Sequence, residues 1–232
     1  MTAILSNLQA TREAIAQAAK AAQRDAAEVR LLAVSKTFPA DAVREAYRGG
    51  QVAFGENYLQ EALEKMESLR DLPLEWHFIG PIQSNKTRAI AEHFAWVHSV
   101  DRLKVAERLS AQRPPQLAPL NVCLQVNVSG EESKSGVAPE EVMALAQKVA
   151  HLPHLRLRGL MAIPAPAHDE AAQRAPFAQM RALLEKLKSQ GIMLDTLSMG
   201  MSYDYAAAIR EGATIVRIGS ALFGARDYGE HK

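Results

Sequence analysis

The sequence predicts an α/β protein in which eight strand and helix units close into one (β/α)8 TIM barrel. Three observations favour this fold: short apolar runs alternate with amphipathic helical patterns, the connections are short, and no change in composition marks a linker. A chain of 232 residues is long enough to bury a substantial core in one domain. We therefore expect a single domain over residues 1–232, with an extra helix over residues 1–27 that packs on the barrel.

Each unit shows a change of hydrophobic period, from an apolar run to a helical stripe. In chain order, the predicted strand and helix pairs are 30–35 with 40–50, 51–57 with 58–70, 75–80 with 85–94, 96–100 with 101–113, 120–128 with 139–152, 155–163 with 173–190, 194–200 with 202–212, and 214–219 with 220–227. An open doubly wound sheet is built from the same units. The count of eight favours closure into a barrel.

The composition argues against several partners and compartments. Lys and Arg number 27 against 26 Asp and Glu, so the chain lacks the basic surface that binding to nucleic acid needs. The single cysteine, Cys123, lies in an apolar run and cannot form an internal disulfide, which fits a reducing compartment. No signal peptide is visible, and no run approaches the roughly 20 apolar residues that span a bilayer. We expect a cytoplasmic protein that binds neither nucleic acid nor membranes.

Lys36 directly follows the unbroken apolar run of the first strand, where burial of an ammonium group is costly. Side-chain alternation places it on the same face as Leu32 and Val34, but alternation does not say whether that face is the barrel interior. A lysine that faces the interior has a lowered pKa and can form an imine. A lysine that faces solvent simply ends the strand. The sequence leaves both alternatives open.

Small and hydroxyl residues stand where the seventh and eighth predicted strands lead into their helices. They are Ser198, Gly200 and Ser202 in the seventh unit, and Gly219 and Ser220 in the eighth. Loops at these two positions of a barrel frequently bind phosphate groups, because their backbone N–H groups and hydroxyls converge on an anion. The sequence therefore predicts a phosphorylated ligand.

Arg217 stands between two apolar residues of the eighth strand and cannot lose its charge to escape burial. It either forms an ion pair with a carboxylate such as Glu56 or donates to the ligand, at a ring nitrogen or at the phosphate. No metal site is expected, because His151 and His154 flank a proline and have no cluster of further ligands. The sequence contains no nucleotide-binding glycine loop and no nucleophile elbow.

Six motifs stand at or near the predicted strand ends. They are "AVSKT", "FGENYLQE", "WHFIGPIQSNK", "LQVNVSGEESKSG", "GLMAI" and "LSMGMSYDYAAAIREGATIVRIGSALFG". In this order they resemble the pyridoxal phosphate homeostasis proteins of the YggS/PROSC type, over the chain from about residue 31 to residue 224. The resemblance implies a barrel of the alanine racemase N-terminal type.

The resemblance also implies that pyridoxal 5′-phosphate (PLP) is the cofactor. In the family, the lysine of "VSK" holds PLP as an internal aldimine, which corresponds to Lys36. The arginine of "VRIG" faces the pyridine nitrogen, which corresponds to Arg217, and Asn57 of "GEN" lies near the ring. The motifs "LSMG" and "RIGS" hold the phosphate, which corresponds to Ser198, Met199, Gly200, Gly219 and Ser220.

One position departs from the family pattern. Many relatives carry a second lysine two residues after the first, where this chain has Phe38. A role for a second amine at that position, such as passing the cofactor on, therefore does not carry over. Lys134 in "ESKSG" is another candidate secondary amine.

The resemblance implies a monomeric regulator of intracellular vitamin B6 and amino-acid levels that holds PLP without robust catalysis, with PLP-dependent apoenzymes as candidate partners. A charged Arg217 favours this over catalysis, because it leaves the ring nitrogen unprotonated and weakens PLP as an electron sink. Alanine racemase takes its second acid/base from an additional β-domain, which we do not find in the sequence. Two alternatives stay open: a Schiff-base enzyme, either a weak racemase or a class I aldolase, that uses Lys36, and a protein whose main work is binding another protein.

Overall fold

The computed structural model describes residues 2–130 and 135–225, and its strands form a closed parallel barrel in chain order. Pairing of the first strand with the eighth, with Leu31 opposite Val216, closes the barrel and excludes the open sheet. The strands are β1 (Arg30–Val34), β2 (Ala53–Glu56), β3 (Glu75–Phe78), β4 (Trp96–Val100), β5 (Leu120–Gln125), β6 (Leu155–Met161), β7 (Thr196–Ser198) and β8 (Ile215–Ile218). The predicted fold class is confirmed.

Helices follow the strands and form the outer layer. They are α1 (Ala3–Ala21), α2 (Ala40–Arg48), α3 (Leu59–Ser68), α4 (Thr87–His93), α5 (Leu103–Gln112), α6 (Val142–Val149), α7 (Glu170–Ser189), α8 (Tyr205–Arg210) and α9 (Ser220–Phe223). Helix α1 precedes the barrel and packs against α2, α8 and α9. Within the described ranges, no helix has both the length and the apolar character needed to cross a membrane.

Several predicted boundaries differ from those of the structure. The first helix ends at Ala21 rather than residue 27, because a separate turn over Ala26–Glu28, capped by the Asp25 side chain, leads into β1. Helix α7 begins at Glu170, three residues earlier than predicted, because the Asp169 carboxylate accepts from Ala172 N and caps it. Strand β7 covers only Thr196–Ser198, because its apolar flanks continue into loops.

The core has two layers, one on each face of the barrel strands. The layer in which a buried strand side chain lies therefore shows whether it points outward or inward. Residues that point outward, such as Leu31 and Ala33, pack beneath the helices. The barrel interior is filled by a second set: Leu32, Val34, Ala53, Ile79, Trp96, Cys123, Met161 and Ile215. Leu32 and Val34 therefore point inward, and the next residue on their face is Lys36.

Candidate functional site

Lys36 lies at the carboxyl end of the barrel, immediately after β1, and its side chain lines a cavity of about 310 Å³. The cavity is lined by Val34, Lys36, Asn57, Ile79, Ile163, Met201, Ser202, Tyr203, Arg217, Gly219 and Ser220. This is the end of a β/α barrel at which active sites form. This position favours the alternative in which Lys36 faces the barrel interior.

The backbone on both sides of Lys36 is held by side chains of the neighbouring unit. Lys65 Nζ on α3 donates to the Ser35 carbonyl at 2.7 Å, and Thr37 N donates to Glu61 Oε1 at 2.6 Å. Thr37 has a φ of 68°, a left-handed conformation that is uncommon for a β-branched residue. We infer that these two contacts stabilise the turn from which Lys36 projects.

A buried group of charged residues supplies those contacts, and we call Ser35, Glu56, Glu61 and Lys65 the Lys65 cluster. Lys65 Nζ lies 2.8 Å from Glu56 Oε1 and 2.5 Å from Glu61 Oε1, and Ser35 Oγ donates to Glu56 Oε1 at 2.6 Å. The Glu56 side chain is completely buried and that of Lys65 is 6% exposed. Burial raises the pKa of Glu56, and the Lys65 ammonium opposes that rise.

Arg217 reaches the same cavity from β8 and is buried. Its NH1 donates to Ser198 Oγ at 2.9 Å, and its NH2 donates to the Ala162 carbonyl, also at 2.9 Å. Burial lowers its pKa to about 10, so the guanidinium stays charged at neutral pH. Glu56 is bonded to Lys65 and Ser35 instead, so the predicted alternative of an Arg217–Glu56 ion pair is wrong.

The loop after β8 lines the cavity with Gly219 and Ser220, and Ser202 from the loop after β7 also lines it, whereas Ser198 and Met199 lie behind this wall. The Ser198 hydroxyl accepts from Arg217 and lies 2.7 Å from His98 Nδ1, so its own proton is directed away from the cavity. The Met199 side chain is buried in the outer core layer. The phosphate role of these residues stays a prediction, and in this arrangement it falls to their backbone rather than to the Ser198 hydroxyl.

Gly200 shapes this loop. Its φ of 99° suits glycine, and a Cβ there would lie 2.7 Å from the Ala208 methyl group. The Gly200 carbonyl accepts from Arg217 N at 2.9 Å. Farther along the loop, Met201, Ser202 and Tyr203 face the cavity. The chain therefore turns back over the barrel mouth after β7.

Asn57 follows β2 and lies on the wall between two cavities. A Cβ on Gly80 would come within 2.2 Å of the Asn57 carbonyl, so the close approach of the two loops requires glycine. Asn57 Oδ1 is buried and has no hydrogen-bond partner among the described residues. A second cavity of about 330 Å³ shares Asn57, Ile79 and Ile163 with the first. An acceptor of this kind is available to a donor on a bound ligand.

Other residues singled out in the sequence lie elsewhere. His151 and His154 are exposed, and the described parts of the chain contain no group of three metal-binding side chains. Cys123 is buried in the barrel, where desolvation raises its pKa to about 12. Phe38 packs against Phe223 with ring centroids 5.0 Å apart. Lys134 lies outside the described residues.

The residues that support Lys36 and Arg217 were not predicted from the sequence. Lys65 and Glu61 look like an ordinary pair on one helix face, four residues apart. His98, which contacts Ser198, stands within the apolar run "WVHSV". A histidine inside a buried strand was the available signal, because such a ring needs hydrogen-bond partners.

The family model that matches residues 6–227 describes the N-terminal domain of alanine racemase. A pyridoxal phosphate homeostasis protein of Pseudomonas aeruginosa is 68% identical over 229 residues, which cover 99% of this chain and 98% of the relative. That of Escherichia coli is 52% identical over 233 residues, with 99% and 100% covered. The chain belongs to the pyridoxal phosphate homeostasis protein family. The resemblance noted in the sequence is confirmed.

Solved structures place this pyridoxal phosphate homeostasis family member among two kinds of barrel. PipY of Synechococcus elongatus with PLP bound has a TM-score of 0.80 and 42% identity, over 90% of this chain and 100% of PipY. Alanine racemase of Corynebacterium glutamicum has a TM-score of 0.71 and 19% identity, over 99% of this chain and 63% of the racemase. D-threonine aldolase of Filomicrobium marinum gives 0.74 and 19%, with the same coverage. The likeness to the two enzymes extends to the fold alone.

Proposed function

We propose that the protein binds PLP in the cavity at the carboxyl end of the barrel and serves the homeostasis of this cofactor and of amino acids, without robust catalysis of its own. One observation carries the proposal: Lys36, Arg217 and the Gly219–Ser220 loop line the same cavity. Besides its phenolic hydroxyl, PLP offers three groups that these features can bind: an aldehyde, a ring nitrogen and a phosphate. The three features match these groups one to one.

The cavity fits the cofactor in size and in donor chemistry. Its volume of about 310 Å³ lies at the lower end of the range of about 300–1,000 Å³ for small-molecule sites. The buried Asn57 Oδ1 is an acceptor that needs a donor. A lysine amine, a guanidinium, loop hydroxyls and backbone N–H groups are together the donor set that an aldehyde-bearing aromatic phosphate requires.

When bound, PLP supplies an aldehyde that condenses with primary amines and a ring that accepts electrons. In our proposal Lys36 holds the cofactor covalently through its Nζ. Arg217 donates to the ring nitrogen, and Asn57 lies beside the ring. Gly219 and Ser220 hold the phosphate, with backbone groups of the loop that contains Ser198, Met199 and Gly200.

The character of Arg217 supports the proposal of binding without robust catalysis. A guanidinium whose pKa is about 10 stays charged and donates at neutral pH, so it leaves the ring nitrogen without a proton. A ring in that state stabilises a carbanion poorly. The remaining titratable groups on the described cavity wall are Lys36 and Tyr203, and burial raises the pKa of Tyr203 above its ordinary value.

We also propose that the protein is a cytoplasmic monomer and that PLP-dependent apoenzymes are its partners. The nearly balanced charge, with 27 basic and 26 acidic residues, supports a role away from nucleic acid. The similarly named relatives over the whole chain support the homeostasis role. Gel filtration of the loaded protein, alone and with a PLP-dependent apoenzyme, tests the monomeric state and the association with apoenzymes.

Borohydride reduction tests the proposal. The protein is incubated with PLP, reduced, digested and analysed by mass spectrometry, and we expect a pyridoxyl phosphate mass on the peptide that contains Lys36. Lys36→Ala removes that mass and the visible absorbance. The matched control is Lys186→Ala, which removes an exposed lysine from the last turn of α7. A sugar-derived mass on Lys36 after a parallel incubation with a sugar phosphate, or rapid exchange of amino-acid α-protons in deuterated water, would instead identify an enzyme.

A further inference from the structure

A chain of buried polar side chains runs through the barrel interior from Arg217 to the opposite barrel end. Beyond the Ser198 contact with His98 Nδ1, His98 Nε2 lies 2.8 Å from His77 Nδ1. His77 Nε2 lies 2.7 Å from Glu75 Oε1, and Arg30 NH1 pairs with that carboxylate at 2.7 Å. Both histidines are completely buried. We call Glu75, His77, His98 and Ser198 the histidine chain.

With both rings neutral, the acceptor at the Glu75 end fixes the direction of every hydrogen bond in the histidine chain. Arg217 can only donate, and an ionised Glu75 can only accept. His77 must therefore donate to Glu75 through Nε2 and accept at Nδ1. His98 must then donate to His77 through Nε2 and accept the Ser198 proton at Nδ1. All four bonds point from Arg217 toward Glu75, and each neutral ring carries its proton on Nε2.

The surroundings support this assignment. Burial lowers the pKa of both rings, and a nearby cation opposes protonation of each: Arg30 for His77, and Arg217 for His98. Glu75 has the opposite effect on His77, but the net direction is still downward. The His77 ring also stacks on Trp96, with centroids 5.3 Å apart and planes 4° apart. These contacts hold the rings in one orientation and in one protonation state.

We propose that the histidine chain positions the Arg217 guanidinium, so that Ser198, His98, His77 and Glu75 determine how Arg217 meets the ring nitrogen of the cofactor. The effect on PLP rests on the proposed function. The hydrogen bonds of the histidine chain are present in the protein without any cofactor. Without the histidine chain, Arg217 loses the hydrogen bond from its NH1 to Ser198 Oγ, and its guanidinium can rotate about the terminal torsions of the side chain.

Proton transport along the chain is a different role, and the acidities argue against it. Moving one proton from Arg217 through to Glu75 would join a donor of pKa about 10 to an acceptor of pKa about 2. The transferred state is therefore strongly disfavoured. The histidine chain therefore orients groups and does not carry protons.

Nitrogen NMR of the two rings tests the chain without any cofactor. Because both pKa values are lowered from 6.5, we expect both His77 and His98 to stay neutral from pH 6.5 to pH 8, with the proton on Nε2 in each ring. In Ser198→Ala the Nδ1 signal of His98 moves, because its hydrogen-bond donor is gone. A ring that takes up a proton in this range, or one that carries its proton on Nδ1, would overturn the proposed direction.

PLP titration and absorbance spectra test the positioning role. Ser198→Ala should bind PLP about tenfold more weakly, which corresponds to about 1.4 kcal/mol and the loss of one hydrogen bond, and should shift the absorbance maximum. Ser198→Thr keeps the hydroxyl and restores both properties. The matched control is Ser110→Ala, which removes a buried hydroxyl that donates to the Pro153 carbonyl outside the barrel interior.

Glu75→Gln is a second variant in case Ser198→Ala does not fold. The side chain of Glu75 is 32% exposed, and glutamine keeps an acceptor for His77 while removing the charge. We expect PLP binding to weaken about twofold to threefold and the absorbance maximum to shift in the same direction. Unchanged affinity and spectra in both variants would refute the positioning role. Failure of the unmodified protein to bind PLP would refute the proposed function and leave the NMR result standing.

Discussion

The Lys65 cluster lies behind Lys36 and the histidine chain lies behind Arg217, so each supports one basic side chain of the same cavity. The first uses ionised groups: Lys65 contacts two carboxylates within 2.8 Å. The second uses neutral rings and one hydroxyl, and its charged residue stands at the far end of the barrel, where it meets Arg30. The two supports differ in charge rather than in the number of contacts.

This difference matches the roles that we propose for the two basic side chains. A lysine that forms a covalent bond through Nζ must be able to lose its proton, so a support made of carboxylates has to be offset by a cation of its own. Lys65 supplies that cation. An arginine that donates to a ring must stay charged, and neutral acceptors orient it without adding a charge beside the ring. Each support suits the protonation state that its side chain needs.

Among the variants that test this comparison, we expect removal of Lys65 to lower the free energy of unfolding the most. Lys65→Met leaves Glu56 buried without its cation, and we expect the free energy of unfolding to fall by about 3–5 kcal/mol. Adding Glu56→Gln removes the unpaired charge and should recover most of the loss. Urea unfolding of the two variants measures this, with Lys186→Met as an exposed control. A loss of less than about 1 kcal/mol in the free energy of unfolding of Lys65→Met alone would show that the Lys65 cluster behaves like a surface ion pair.

Interruption of the histidine chain has an intermediate effect. His98→Leu leaves His77 Nδ1 and the Ser198 proton without partners, and we expect a loss of about 1–3 kcal/mol in the free energy of unfolding. The loss is smaller than that for Lys65→Met because no buried charge is left uncompensated. Urea unfolding checks the order of the two variants. A larger loss for His98→Leu than for Lys65→Met would contradict the predicted difference between the charged and the neutral support.

The pH dependence of Glu75→Gln is the smallest expected effect. The pKa of Glu75 is lowered from 4.5 to about 2, first by the hydrogen bond from His77, so its ionised form stabilises the folded state above pH 4.5. That contribution disappears as the pH falls from 4.5 toward 2. The protein and the variant should differ by at most about 1 kcal/mol at pH 7 and converge on acidification. A difference that grows below pH 4.5 would contradict this sign.

Much of the fold and the cavity wall could be predicted from the sequence, because both depend on local order. Alternating strand and helix patterns predicted the barrel, and position at a strand end pointed to Lys36, Gly219 and Ser220. Arg217 was found because a charged residue inside an apolar run needs an explanation. These inferences need only the residue and its immediate neighbours in the chain.

The Lys65 cluster and the histidine chain, which lie behind the cavity wall, could not be predicted in the same way. His77 and His98 are 21 residues apart, and Ser198 is another 100 residues along the chain, so their contacts depend on strand register. The alternative of an Arg217–Glu56 ion pair was wrong because Lys65, nine residues after Glu56, and Ser35 both bind that carboxylate. Choosing between such partners requires the positions of whole elements.

A crystal structure of the protein soaked in PLP tests the central claim most directly. We predict continuous density from Lys36 Nζ into the cofactor, with Arg217 at the ring nitrogen and the phosphate against Gly219 and Ser220. The Ser198 hydroxyl should keep its contacts to Arg217 and His98. Density for PLP on a lysine outside this cavity, with none inside it, would contradict the account.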